Sequence, residues 1–162
     1  MDIKSEIELS GHERTIVNKF RTFMKAGPGY DSVFIVGGWV RDKLLGHSSK
    51  DLDFSYKLED ESRLISDVLV SFSQEPAVAE RDSKLSVVAH RPPFVIEQEP
   101  VKGFLVNVIE VADFGRKNHF KLDLRALKGE SAEADSLSRD FTINAVYYDV
   151  LTGEVVDPRN VR

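Results

Sequence analysis

A short apolar run, Val33-Phe34-Ile35-Val36, stops on Gly37-Gly38, and Trp39 to Leu45 then reads as a short helix ended by Gly46. Asp51 to Leu58 follows with the alternation of a half-buried strand. Strand, two-glycine turn, helix and strand within twenty-six residues leave the chain little freedom. The helix must fold back against the strands on either side of it, and the paired glycines let the backbone turn sharply there.

The remaining pattern extends this unit. Ile16, Val17, Phe20 and Phe23 recur at helical spacing within His12–Lys25, which Ala26-Gly27-Pro28-Gly29 terminates. Glu61–Phe72 returns to helix, Ser86–His90 is strand-like until Arg91-Pro92-Pro93, and Phe104–Val111 is a longer strand. A helix is expected over Asp135–Val146, with Leu137, Phe141, Ala145 and Tyr148 along one stripe. Tyr147–Asp157 reads as a hairpin turning at Leu151-Thr152-Gly153. Helices interspersed with strands, and few βαβ repeats, predict an α+β fold: a mixed β-sheet with helices packed against it. With no repeat or linker-like tract in 162 residues, one domain over 1–162 is expected.

Composition narrows the chemistry. The chain has no cysteine, which excludes disulfides, thiolate metal sites and thiol nucleophiles. Apolar runs are too short for a membrane helix, so no membrane partner is expected, and the polar N-terminus resembles neither a secretory signal nor a transit peptide; an intracellular setting follows, without separating cytoplasm, nucleus or mitochondrion. Lys and Arg number 22 against 27 Asp and Glu, a net charge of −5. A domain gripping nucleic acid by itself is usually basic. If this chain acts on RNA, most of the phosphate-binding surface is expected on a partner or on further sequence. His12, His47, His90 and His119 have no metal-ligand spacing and read as surface or turn residues. P-loop, serine-hydrolase and zinc-protease signatures are absent.

Four groups of residues are candidates for a site. Gly37-Gly38 before a helix lets backbone N–H groups approach an anion, and Arg41 in the first turn adds a guanidinium; a tight strand-to-helix turn is the simpler account. Asp51 and Asp53, two apart in a strand, project from one face about 6.6 Å apart along the backbone. Such oxygen ligands suit Mg²⁺ or Mn²⁺, and two ions about 4 Å apart serve an attacking oxygen and a leaving pyrophosphate. The alternative is a solvated pair on an edge strand. Glu110 shares a strand face with Val106 and Val108; it sits at an exposed tip or, if buried against a cation, is the natural third carboxylate. Arg139, with Asp140 and Asn144 one helical turn apart, is either a surface ion pair with Asp135 or Asp140, or a second phosphate clamp.

Together these motifs resemble the tRNA nucleotidyltransferases (CCA-adding enzymes) and the bacterial poly(A) polymerases similar to them. Gly37-Gly38-Trp39-Val40-Arg41-Asp42-Lys43-Leu44-Leu45-Gly46 is similar to the family's opening signature, and Asp51-Leu52-Asp53 to its metal-binding D-x-D. Glu110-Val111-Ala112-Asp113-Phe114 resembles its E-V-x-x-F strand, which supplies the third carboxylate. Arg139-Asp140-Phe141-Thr142-Ile143-Asn144-Ala145 resembles its R-R-D-F-T-I-N-A block, and Thr152–Pro158 the hairpin after it. The landmarks keep the family's order over about residues 33 to 158.

The resemblance implies a template-independent nucleotidyltransferase that adds CMP and AMP from CTP and ATP to the tRNA 3′ end. It implies catalysis by Asp51, Asp53 and Glu110, with two Mg²⁺ ions (or Mn²⁺) held by Asp51 and Asp53. It implies nucleotide binding by Gly37, Gly38, Arg41, Arg139, Asp140 and Asn144. Poly(A) addition to other RNAs, or nucleotide binding without catalysis, are the competing readings. Two departures stand out: Ser138 replaces the first Arg of R-R-D, and Gly115 replaces the Arg that often ends E-V-x-x-F-R. The family's helical neck, body and tail, which read the base and grip the tRNA, are expected outside these 162 residues.

Overall fold

The computed structural model describes residues 7–27, 29–58, 61–74, 84–97, 105–113, 118–139 and 144–160. Its elements run α1 (Gly11–Ala26), β1 (Tyr30–Val36), α2 (Gly38–Leu44), β2 (Asp51–Leu58), α3 (Glu61–Ser73), β3 (Ser86–Val95), β4 (Leu105–Asp113), β5 (Asn118–Ala126), α4 (Ala132–Ser136), β6 (Tyr147–Asp149) and β7 (Val155–Val156). The strands form one seven-stranded sheet in the order β3-β4-β5-β2-β1-β6-β7. The β2–β5 pair is parallel and the other neighbours are antiparallel, which is the expected mixed sheet. No helix among the described residues is long and apolar enough to cross a membrane.

Alternation along the strands divides the sheet into two faces. One carries Val33, Ile35, Leu52, Phe54, Tyr56, Ile109, Val111, Leu122 and Leu124, all buried against Ile16, Val17 and Phe20 of α1 and Leu64, Val68 and Phe72 of α3. Phe20 stacks on Phe54 with ring centroids 4.4 Å apart, clamping β2 midway along its length. The opposite face has a small apolar patch under β1 and β6, built from Phe34, Val36, Leu127, Ala132, Ala145 and Tyr147. The rest of that face is mixed: Val106 and Val108 of β4 are buried on it, beside the charged residues of β2 and β5.

Helix α1 starts with a capping box in which Ser10 accepts from the Glu13 N–H and Glu13 accepts from the Ser10 N–H. The buried Glu13 carboxylate also accepts from the Trp39 indole N–H at 2.6 Å and pairs with the Lys43 ammonium. A single acid thus anchors α2, the helix after the glycine pair, to the start of α1.

Three expectations are corrected. Strand β3 continues through Arg91, Pro92 and Pro93 to Val95, because it is the sheet's edge and an edge strand tolerates residues that donate no ladder bond; its register shifts between Arg91 and Phe94. Of the helix expected over Asp135–Val146, the described residues show only the end of α4 at Ser136: Leu137 is 72 % exposed, and Ala145-Val146 lead directly into β6. The stripe fails because Ala145 and Tyr148 serve the sheet, on opposite faces. Asp140 and Phe141 lie outside the described residues. His12 is buried rather than on the surface, its Nε2 2.9 Å from Asp113 Oδ2. The hairpin turn at Leu151–Gly153 is as expected: Asp149 Oδ1 accepts from the Leu151 and Thr152 N–H groups, and Gly153 takes φ of 78°.

Replacing Glu13 with Ala strands the half-buried Lys43 ammonium and frees the α1–α2 joint. Urea unfolding of Glu13→Ala is expected to show a loss of about 3 kcal/mol. A loss below about 1 kcal/mol, the range of an exposed pair, would contradict the anchor.

Candidate active site

The sheet's register builds the site. Parallel pairing of β2 with β5 sets Asp51 beside Lys121, Asp53 beside Asp123 and Ser55 beside Arg125. Paired residues share a face, so these six side chains project together, away from the face packed on α1 and α3. Asp51 is exposed at the start of β2, whereas Asp53 is partly buried two residues further in. Asp53 and Asp123 are close enough to share a hydrogen bond between their carboxyl groups.

Two like charges in a half-buried position cannot both ionise cheaply. Burial first, and the Asp123 charge second, push Asp53 up to about 6, with Arg139 opposing. Asp123 Oδ1 is buried with no hydrogen-bond partner, and Lys121 Nζ stands 3.6 Å from Asp123 Oδ2. Paired carboxylates with an orphaned, inward oxygen match what a divalent cation requires of hard oxygen donors. Among the described residues, no third acid or imidazole joins them to complete a cluster of three; Asp51 is exposed, two residues before Asp53 on the same face.

A cavity of about 180 Å³ opens beside this pair, lined by Asp53, Ser55, Val106, Asp123, Arg125 and Arg139. Arg139 reaches in from the segment after α4, its Nη2 donating to Ser55 Oγ at 3.4 Å and to Asp135 Oδ2 at 3.1 Å. The ion pair with Asp135 that the sequence allowed is present, but it is buried, and the same guanidinium lines the cavity.

On the other side, Gly37 ends β1 with φ of 84°, a conformation that side-chain-bearing residues seldom adopt. A Cβ there would lie 3.4 Å from Asp53 Oδ2, in the space above that carboxylate. Arg41 Nη2 passes 3.3 Å from the corresponding position on Gly38, so the arginine folds back over the turn. Arg41 Nη1 donates to Asn144 Oδ1 at 3.2 Å, and its Nε pairs with Asp42 at 3.1 Å. Asn144 therefore ties the segment before β6 to α2.

Of the residues read from sequence, the fold gathers Gly37, Gly38, Arg41, Asn144, Asp51, Asp53 and Arg139 around the β2 end of this face. Asp140 and Gly115 lie outside the described residues. Glu110 is not brought to the pair. Strand β5 inserts between β4 and β2, so Glu110 faces Lys121, and two strand spacings of about 4.8 Å separate it from β2. Its carboxylate lies 3.5 Å from His119 Nε2. The acid beside Asp53 is Asp123, which the sequence reading passed over together with Arg125 and the whole of β5. The signal was there: Phe120, Leu122 and Leu124 alternate with Lys121, Asp123 and Arg125, as in a strand buried on one face and charged on the other.

A mixed sheet presenting paired acids beside a glycine turn and two guanidiniums has the nucleotidyltransferase fold. A solved tRNA-processing enzyme in its apo form superposes with a TM-score of 0.60 at 24% identity, covering 93% of this chain and 34% of that one. Residues 33–160 match the family model described as the Poly A polymerase head domain, and the chain belongs to that family. It is similar to "tRNA nucleotidyltransferase cca2" of Schizosaccharomyces pombe, 28% identical over 94% of this chain and 34% of the relative. It is also similar to "CCA tRNA nucleotidyltransferase, mitochondrial" of Saccharomyces cerevisiae, 31% identical over 76% of this chain and 23% of the relative. The chain thus spans about a third or less of the length of these curated relatives.

The raised Asp53 has a consequence for stability. Between its ordinary value of 3.8 and about 6, the folded chain holds more protons than the unfolded one. Metal-free stability therefore falls as pH rises through that window and levels off above it. Asp53→Asn removes the penalty. Urea unfolding with chelator at about pH 7.5 should show the variant more stable by up to about 3 kcal/mol, with the two coinciding near pH 3.5. Equal midpoints at the higher pH would contradict the strained pair.

Proposed function

We propose that this chain is the catalytic head of a template-independent nucleotidyltransferase that adds CMP and AMP from CTP and ATP to the 3′ end of tRNA. The observation that carries the reading is the convergence of Asp53 and Asp123, with an orphaned buried oxygen, between a glycine turn and the Arg125–Arg139 side of the cavity. The names of the two yeast relatives give the substrate class.

In the reaction the primer's 3′ hydroxyl gives up its proton to solvent as its oxygen bonds to the α-phosphorus of the nucleotide. The bond from that phosphorus to the bridging oxygen breaks, and pyrophosphate leaves with the electron pair. Asp53 and Asp123, with Asp51 on the same strand face, would hold Mg²⁺ or Mn²⁺, two ions being expected from the resemblance. When bound, such ions make the hydroxyl more acidic and neutralise charge on the phosphates. The chain's own residues orient and compensate, because phosphoryl-type transfer depends on positioning and electrostatics more than on covalent catalysis. Arg139 and Arg125 offer forked donors to triphosphate oxygens on one side. Arg41, steadied by Asn144, offers a third on the other, and Gly37-Gly38 leave room for backbone N–H groups to approach. Asp140 keeps the nucleotide role its motif implies. The net charge of −5 favours an RNA grip supplied by further sequence or a partner.

The same head serves poly(A) addition, a reading favoured by the description of the matched family. Product length on a tRNA lacking CCA separates the two: one to three residues supports CCA addition, and an extended A-tail supports poly(A) synthesis. Binding of Mg-nucleotide without any extension supports a non-catalytic module instead.

Asp123→Asn in the full-length protein should lower nucleotide incorporation by more than about a hundredfold, beyond what loss of an outer-sphere partner costs. Glu110→Gln should leave incorporation within about threefold, as expected of a partly exposed pair remote from the reacting atoms. The reverse ranking would return the third-carboxylate role to Glu110.

A further inference from the structure

Behind the cavity lies a carboxylate that the reaction does not touch. Asp135 of α4 is fully buried. Its Oδ2 accepts from Arg139 Nε at 3.2 Å and Nη2 at 3.1 Å, and from the Tyr147 hydroxyl at 2.6 Å. Its Oδ1 accepts from the Lys128 N–H at 2.9 Å and lies 3.6 Å from Arg125 Nη1. The acid is itself fixed from three directions: the turn after β5, β6, and α4, whose N-cap Ser131 accepts from the Ala134 N–H at 3.0 Å. Burial pushes its carboxyl up, but Arg139 first, then the Tyr147 hydroxyl, the Lys128 N–H and Arg125, hold it below the usual range.

Both guanidiniums tied to Asp135 also line the cavity with Asp53 and Asp123, and both are within electrostatic reach of Asp53. Two arginines beside two converging acids have a collapsed arrangement available to them. Each would swing onto the carboxylate pair in a forked ion pair, cover the inward oxygens and neutralise the charge that attracts a metal. Asp135 opposes that collapse by offering both guanidiniums a competing acid outside the cavity lining.

We propose that Asp135 is a positioning residue whose charge holds Arg125 and Arg139 back from the Asp53–Asp123 pair, leaving the pair open to a divalent cation. This rests on the metal reading of the pair given above. The residue acts through its partners, so its effect is a matter of charge balance and not only of a filled core.

The test reads Mn²⁺ binding by electron paramagnetic resonance, without turnover, in the wild-type chain, Asp135→Asn, Tyr147→Phe and the double variant Asp135→Asn/Arg139→Gln. Asparagine keeps the size and an acceptor for the Lys128 N–H while removing the charge. We expect Asp135→Asn to bind Mn²⁺ about tenfold more weakly, the lower range for a partner outside the metal's own ligands. Removing one arginine charge in the double variant should restore the wild-type affinity. Tyr147→Phe, which loses a buried hydrogen bond to the same oxygen but no charge, should bind as wild type does. Equal binding by Asp135→Asn and wild type overturns the proposal, as does equal weakening by Tyr147→Phe or failure of the double variant to recover. Should Asp135→Asn not fold, the double variant decides: wild-type affinity supports the proposal, and weakened or absent binding overturns it. Absence of Mn²⁺ binding by the wild-type chain overturns the metal reading and this proposal with it, whereas unchanged binding by the variant overturns this proposal alone.

Discussion

The pairing of Asp53 with Asp123 across two parallel strands is the interaction on which the rest depends. Neither residue chose its neighbour; the hydrophobic core did. Leu52, Phe54, Leu122 and Leu124 are all buried against the helices on the far face, and a strand that slips by one residue would exchange them for the acids between. That exchange would put carboxylates into hydrocarbon, so the register is strongly fixed. The free energy gained by burying one face thereby forces two like charges together on the other. The cost appears as a carboxyl group that resists ionising.

Around that imposed strain the chain distributes opposite charge with some care. Arg125 follows Asp123 on the same strand, Arg139 arrives from the turn beyond α4, and Lys121 stands at the rim. None of these fills the pair. The two arginines lean back on a buried acid, and the glycine turn presents no side chain above Asp53. Opposite charges set side by side, with the paired acids left uncovered, suit the cation and polyphosphate proposed for the site.

Much of this was legible in the sequence because the informative residues are local. The strand, glycine pair, helix and D-x-D strand lie within twenty-six consecutive positions, and their spacing fixes both the turn and the common face of Asp51 and Asp53. The third acid was not legible in the same way. Glu110 stood out as a lone charge in an apolar strand, but which strand lies next to β2 is a fact of sheet topology, and β5 takes that place from seventy residues away in sequence. Its alternation was readable, yet three charged residues in a row of alternates look like a solvated surface until a partner strand is known. The segment after α4 failed for another reason. Leu137 and Ala145 sit at helical spacing, but one is exposed and the other packs under the sheet, so the periodicity was coincidental.

The most direct measurement is anomalous diffraction from crystals of this chain soaked in Mn²⁺. The account requires a peak within coordination distance of both Asp53 and Asp123, on the cavity side and away from Glu110. A peak held by Glu110 and His119 instead, or no peak between the paired acids, would contradict it.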